Sequence, residues 1–501
     1  MTTSRADLPL VVDRSAASPL AEQLISQLRT VVTSGVLVAG ERLPSSRDLA
    51  ATLGVSRTVV TVAYTQLFAE GWLEGRHGSG TYVANVSPAP PATADPARVP
   101  ASVPNRAIGA APASPNAYTG TLPDVPKSAI RHAAGRPERG ADLIQLQPGI
   151  PWVAGIDPAM WRRAWRHAGT RPPSFWPDPH GVPDLRAGLA GYLRRSRALA
   201  ITSDSILVTR GVSSGLTLLA AALIRPGDRA GVEEPGYPAA REVLRRAGAE
   251  VIPCPVDEHG IVPDGLPGDL RLLYTTPAHQ YPLGGRLPVA RRQALVAWAR
   301  ATGALIVEDD YDGEFRYDVA PLPALYSMDP EVVVYLGTAS KMLTPAFGIG
   351  WLVAAPAVVA LLARTRAEMS DRVPEPAQHA MHALLTSGDL ERHVRRMRLE
   401  YARRRATLVD RLSASLPETF RVLGDTAGMH VVLELPPGCH PDRLVALAAE
   451  SGISLFTIDR YYVGRPTVNG LILGYGAAPL THLRRAATAL RFLVPGLTRS
   501  A

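Results

Sequence analysis

The chain has 501 residues, 46% apolar and 20% charged, enough at about 150 residues per domain for two to four independent cores and far too long for a disulfide-stapled miniprotein. Two cysteines cannot build a disulfide framework, no run of about 18 apolar residues could span a bilayer, and the opening MTTSRADL lacks the basic-then-apolar order of a secretory signal. A cytoplasmic protein with no membrane partner is expected. The formal charge of +8 invites a nucleic-acid reading, yet residues 1–85 hold seven arginines against seven acidic residues. Any DNA contact must therefore rest on where particular arginines stand, not on bulk charge.

In chain order, apolar residues at 20, 24, 25, 28, 31 and 32 mark one face of a first helix. A second begins at Leu43-Pro-Ser-Ser-Arg47, with serines available as caps, and Gly54-Val55 makes a tight turn. Ser56 then caps a third helix whose expected inner face is Val59, Val60, Ala63, Tyr64, Leu67 and Phe68. This is helix-turn-helix spacing, and it places Arg57, Thr58 and Thr61 on the first outward turn of a recognition helix. Trp72–Val83 reads as a two-stranded wing with a Gly-Ser-Gly tip. Between about 86 and 140 the pattern dissolves into Pro, Ala and Ser, as in PAPPATADPARVP, a linker unable to bury enough apolar surface to offset its chain entropy. From 141 to 501, helical segments alternate with short apolar strands at 206–209, 229–235, 272–276, 305–310 and 332–337. That alternation predicts an α/β domain around a largely parallel sheet.

The basic residues are 51 arginines and two lysines, Lys127 and Lys341. Because guanidinium does not titrate, a surviving lysine in such a chain is a candidate for amine chemistry. Lys127 lies in the Pro-rich stretch and reads as surface. Lys341 follows an apolar strand in YLGTASKMLTP. Pyridoxal 5'-phosphate needs a lysine to hold its aldehyde, an acid at the pyridine nitrogen, a hydroxyl at the ring oxygen and an anion site for its phosphate. Asp309 and Tyr311 follow the strand LIV, and Thr209-Arg-Gly-Val-Ser213-Ser-Gly ends a strand and opens a helix whose N-terminus can hold phosphate. Tyr237, after the next strand, is placed to stack on a cofactor ring.

The string G-x-L-x-x-G-x-x-LPSSR-x-LA-x-x-LGVSR…EGWLE-x-R-x-GSGTYV resembles the winged helix-turn-helix of the GntR family of bacterial regulators. That resemblance implies an α+β head contacting operator DNA through Arg47, Arg57, Thr58 and Thr61, with His77 and Gly78 at the wing. The later strings TPAHQYPLGGRLP, EDDYDGEFRYD, GTASKML, RRMRLEYARRRATL and AGMHVVLELP resemble the MocR/GabR subfamily, a GntR head fused to a fold-type-I aminotransferase-like domain with a small C-terminal α+β subdomain. The likeness covers about 440 residues. It implies Lys341 as the cofactor lysine, Asp309 at the pyridine nitrogen, Tyr311 at the ring hydroxyl, and Ser213, Thr338 and Ser340 near the phosphate. It also implies a homodimer in which each head reaches the partner's large domain.

Four positions depart from the family pattern. Gly348 stands where an arginine usually approaches the phosphate, Ile472 where an arginine grips a substrate carboxylate, Trp176 where a tyrosine offers its hydroxyl across the dimer, and Tyr281 near the place where true aminotransferases put an asparagine beside the ring oxygen. Either other arginines take over from displaced positions or the carboxylate grip is lost. The expectation is a regulator that senses an amine, an amino acid or the cofactor itself. The alternatives are an aminotransferase with an appended DNA-binding head, and a large domain that holds no cofactor and only dimerises.

Overall fold

The computed structural model describes residues 8, 10–16, 18–76, 80–86, 143–320 and 322–498. All but the first residue of the linker expected over 86–140 lies outside them, as do His77 and Gly78.

The head is built as its caps dictate. Helix α1 (Leu20–Thr33) buries Leu24, Ile25, Leu28, Val31 and Val32. In α2 (Ser46–Leu53) the Ser45 hydroxyl accepts from the Asp48 amide, and Gly54 closes the helix at φ +62°, a left-handed conformation that favours glycine. Helix α3 (Arg57–Glu70) starts on Ser56, whose hydroxyl accepts from Val59 N. Strands β1 (Leu73–Arg76) and β2 (Gly80–Val83) pair antiparallel as the wing. The predicted inner face of α3 is corrected at its end: Phe68 is exposed, whereas Gln66 and Glu70 are buried. The large domain is the reason. Gln66 Oε1 accepts from Ala320 N at 2.9 Å, Glu70 pairs with Arg29, and Val289 of the large domain joins the head's core. Within the single chain the head thus seats on its own large domain.

That domain opens with β3 (Ile144–Gln145) and helices α4 (Pro158–Gly169) and α5 (Pro183–Arg197). The main sheet takes β4 (Ile206–Thr209), β5 (Arg229–Glu234), β6 (Glu250–Asp257), β7 (Gly260–Ile261), β8 (Leu270–Thr275), β9 (Leu305–Asp310), β10 (Val333–Thr338) and β11 (Gly350–Val353) in the order 4-11-10-9-8-5-6-7. Only β11 and the edge strand β7 run antiparallel to their neighbours. Strand side chains alternate between faces, so the sheet separates two cores. Leu207, Val307, Val334, Leu336 and Leu352 pack under α6 (Val212–Leu223) and α7 (Pro238–Arg246), while Ile206, Val208, Ile306, Val333 and Trp351 face the larger core. A second sheet, of β12 (Arg421–Leu423), β13 (His430–Glu434), β15 (Phe456–Thr457) and β16 (Gly470–Gly474), forms the small C-terminal subdomain, and β14 (Ile453–Ser454) pairs with β3.

Beside the carboxyl end of β9 lies a fully buried ionic cluster. Arg197 meets both Asp310 and Glu314, Tyr335 donates to Asp310 at 2.8 Å and Tyr192 to Glu314 at 3.0 Å. Removing the one buried guanidinium leaves two carboxylates without a counter-charge. Arg197→Ala is therefore expected to destabilise the large domain by about 3–5 kcal/mol, read as a shift of its urea transition while the helical signal of the native state is kept.

Candidate functional site

One cavity of about 420 Å³ opens at the carboxyl ends of the parallel strands, where such sheets expose loops and helix N-termini. Its lining brings together Lys341, Asp309, Tyr311, Ser213, Tyr237, Thr338 and Ser340, residues spread over 129 positions of sequence, and adds Pro148, Gly149, Arg210, Ser214 and Tyr281.

Lys341 follows β10, and its Nζ donates to the Gly149 carbonyl at 2.7 Å. Burial pushes its pKa below the usual lysine value, against the pull of Asp312 and Asp309, which favours the neutral amine that attacks a carbonyl. Asp309, in register with Leu336 on β10, accepts from the Tyr274 hydroxyl through Oδ2. Its Oδ1 is buried without a hydrogen-bond partner. An unpaired buried carboxylate oxygen lining a cavity fits a ligand N–H such as a protonated pyridine nitrogen. Burial is the main cause that raises the Asp309 pKa to about 8, with Asp310 adding to it and Tyr274 opposing.

That shift has a signed consequence. An acid whose folded pKa is raised holds its proton in the native state while the unfolded chain has lost it. The Asp309 contribution to stability is therefore lost as pH rises from about 4 to about 8. Glu308, raised to about 7 chiefly by burial, contributes with the same sign. Asp309→Asn is expected to flatten the fall of melting temperature between pH 5 and 8 relative to the wild type. Parallel curves would show that Asp309 carries no such proton.

The hydroxyl end is compact. Thr338 Oγ1 donates to Ser340 Oγ at 2.9 Å and accepts from Ser340 N at 3.1 Å. Gly211 caps α6 at φ +129°, where a Cβ would touch Thr338 Oγ1 and Ser340 Oγ at 3.6 and 3.9 Å. The helix N-terminus and these hydroxyls thus converge on a cradle suited to an anion. Tyr237 and Tyr281 add an aromatic wall backed by Tyr461, with Tyr281 donating to Tyr461 at 3.1 Å, and Tyr237 shares a hydrogen bond with Ser213. The Tyr311 hydroxyl lies 2.9 Å from His279 Nδ1, which also stands 3.0 Å from Asp312 Oδ2. With Nδ1 protonated the imidazole donates to Asp312, and without that proton it accepts from Tyr311.

Sequence reasoning did not identify Tyr274, His279, Gly149 or Arg210. His279 stands inside the string TPAHQYP and Arg210 inside Thr209-Arg-Gly-Val-Ser213, while Tyr274 and Gly149 carry no local signal. Three of the departures are now explained structurally. Ile472 is fully buried on β16 opposite Val432, in an apolar cluster with Leu283, Ile458, Tyr461 and Tyr462, and does not line the cavity. Gly348 closes the short helix Pro345–Phe347 at φ +62°, again outside the cavity lining. Trp176 is 85% exposed and packs edge-on against Phe175.

On the head, Arg47, Arg57, Thr58 and Thr61 are all exposed. Arg57 Nε reaches Ser46 Oγ at 3.4 Å, and the Thr61 hydroxyl donates to Arg57 O at 2.9 Å. A groove between α2, α3 and the wing is lined by Ser45, Ser46, Thr61, Thr65 and Arg42. Arg42, absent from the sequence reading, lies against Gly80 beside the wing.

The chain matches the family of bacterial regulatory proteins of the GntR type over residues 20–83 and aminotransferase class I and II over residues 152–468. It is 36% identical to the HTH-type pyridoxine biosynthesis transcriptional regulator PdxR of Corynebacterium glutamicum, across 94% of this chain and 95% of that protein. The chain belongs to the MocR/GabR family of transcriptional regulators. It is also 32% identical to the probable rhizopine catabolism regulatory protein MocR of Rhizobium meliloti, across 96% and 95% of the two chains. Among solved structures, the multiple substrate aminotransferase of Thermococcus profundus superposes with a TM-score of 0.66 at 24% identity, covering 72% of this chain and 93% of that one. That likeness establishes the fold of the large domain, and the aminotransferase family to which this MocR-type domain belongs is a pyridoxal-phosphate-dependent one. No helix among the described residues is long and apolar enough to cross a membrane.

Proposed function

We propose that this MocR-type regulator binds operator DNA through residues 1–85, joined by a linker over 86–140 to a domain over 141–501 that holds pyridoxal 5'-phosphate and uses that cofactor as its signal. The observation that carries the choice of signal is the sealed position of Ile472. Among the described residues the one arginine lining the cavity is Arg210, beside the hydroxyl cradle, and Tyr237 and Tyr281 in its wall offer no formal charge to an amino-acid carboxylate. The PdxR relative, named for pyridoxine biosynthesis, points the same way.

When bound, the cofactor supplies an electrophilic aldehyde for a lysine and an electron-poor ring. The chain supplies the rest. Lys341 offers its amine, with the Gly149 carbonyl orienting Nζ. Asp309 would face a pyridine nitrogen through Oδ1, the oxygen left without a partner, and could hold or share the proton between them. Tyr311, its pKa raised by burial, keeps its hydroxyl proton for the ring oxygen. Ser213, Thr338 and Ser340 would hold the phosphate and Tyr237 would flank the ring. A homodimer with an exposed Phe175–Trp176 pair at its contact, working in the cytoplasm, completes the reading. The intact set of Lys341, Asp309 and Tyr311 favours a second reading, an aminotransferase with an appended head.

The test is a spectrum of the purified protein with added cofactor, before and after borohydride, paired with gel shifts of its own promoter with and without cofactor. A yellow, reducible species whose formation changes operator affinity is expected. Operator binding blind to the cofactor would overturn the proposal.

In the head, Arg57→Ala is expected to weaken operator binding by about 1–3 kcal/mol at fixed salt and to leave cofactor binding intact. Gel-shift titration reads the first and absorbance the second. Unchanged operator affinity would return Arg57 to a solvated surface charge.

A further inference from the structure

We infer that Arg210 is the phosphate-binding cation of the cavity and makes this site selective for the phosphorylated pyridoxal over the unphosphorylated one. The inference rests on the proposed cofactor reading and deepens it.

A phosphate monoester carries about −1.5 to −2 charges at neutral pH, and moving it into a half-enclosed cavity requires compensating positive charge. Among the described residues lining the cavity, the cationic side chains are Lys341 and Arg210. Lys341 is turned to the Gly149 carbonyl and is the amine that an aldehyde would consume. The hydroxyls of Ser213, Thr338 and Ser340 are neutral, and the α6 N-terminus supplies only about half a charge. Arg210 is left to balance the rest. It directly precedes Gly211, whose α-carbon is wedged against Gly350 and whose missing Cβ faces Thr338 and Ser340. The backbone therefore fixes residue 210 at the rim of the hydroxyl cradle.

The Arg210 guanidinium pairs with Asp371 at 2.9 Å, with its side chain about half exposed (53%). Such a pair is weak and exchanges readily for a bidentate contact with a phosphate. The carboxylate left behind is not orphaned. Arg366, buried and with Nε 3.6 Å from Asp371 Oδ2, has both Nε and Nη2 without a hydrogen-bond partner. Arg366 can close on Asp371 as Arg210 turns inward. The arrangement is a three-membered exchange in which the site's cation is parked on a carboxylate that has a second partner waiting. Gly348, where family members carry arginine, gives no such charge.

The test uses the full-length protein and measures dissociation constants for pyridoxal phosphate and for pyridoxal separately, by absorbance titration, in wild type, Arg210→Gln, Arg210→Lys and Lys341→Ala. Arg210→Gln is expected to weaken pyridoxal phosphate roughly 10- to 100-fold, the usual worth of hydrogen bonds to a charged group, and to change pyridoxal less than about threefold. Arg210→Lys should keep part of the discrimination, and Lys341→Ala should weaken both vitamers together. Inorganic phosphate should compete with the cofactor in wild type and lose that competition in Arg210→Gln. An Arg210→Gln protein that keeps the wild-type ratio between the two vitamers, or loses both equally, overturns the inference while leaving the cofactor reading standing. A wild type that binds neither vitamer overturns both.

Discussion

Lys341→Ala is expected to abolish the yellow colour of the cofactor-loaded protein and the covalent trapping of cofactor by borohydride. No substitute amine stands in the cavity: Lys341 is its one lysine among the described residues, and arginine cannot take over because its guanidinium stays protonated. Hydroxyl, helix-end and Asp309 contacts remain, so the variant should still bind cofactor reversibly and more weakly. Mass spectrometry after reduction decides the point. A Lys341→Ala protein that still gains the mass of one reduced cofactor would place the chemistry on another amine.

Turnover of common α-amino acids is expected to be negligible in the cofactor-loaded wild type. A carboxylate entering the cavity away from Arg210 would lose water and meet Tyr237 and Tyr281 instead of a guanidinium. Forgoing a bidentate charge-assisted contact while paying desolvation costs several kcal/mol, or about 10² to 10⁴ in binding or rate. The assay follows release of the amine form of the cofactor across a panel of α-amino acids and ω-amines. Turnover near 1 s⁻¹, an ordinary enzyme rate, would overturn the regulator reading in favour of the aminotransferase. The converse substitution is less simple than its sequence position suggests. Ile472 is wholly buried between Val432 and Phe456 on neighbouring strands. Ile472→Arg would bury an unpaired guanidinium, at a cost of several kcal/mol, before any gain in carboxylate affinity. Loss of stability is the expected first result.

Gly348 poses a different obstacle to restoration. The backbone there is left-handed at φ +62°, and a Cβ would meet open space. An arginine fits sterically and pays only about 1–2 kcal/mol of backbone strain. The two missing arginines therefore differ: one was replaced by core, the other by a turn.

Local chemistry was legible in the linear order. Ser45 and Ser56 announced helix starts, the strand runs announced the sheet, and Lys341, Asp309 and Ser213 each stand at or just past the carboxyl end of a strand, so the parallel topology alone carries them to one edge. Motif strings sufficed for the family because each is contiguous. What tertiary structure alone decided are the partners that contiguity cannot supply. Tyr274 reaches Asp309 across 35 residues, His279 reaches Tyr311 across 32, and the Gly149 carbonyl meets Lys341 across 192. The same holds for faces. Helical period on α3 assigned Phe68 inward, but it lies exposed in the head's groove, whereas Gln66 is buried against Ala320 of the large domain and Glu70 against Arg29. Likewise the loss of arginine at 472 was visible as a letter, but its burial among apolar side chains follows from β16 lying between β13 and β15. Sequence period records which residues can share a face. Only the packing of sheet, subdomain and head determines what that face meets.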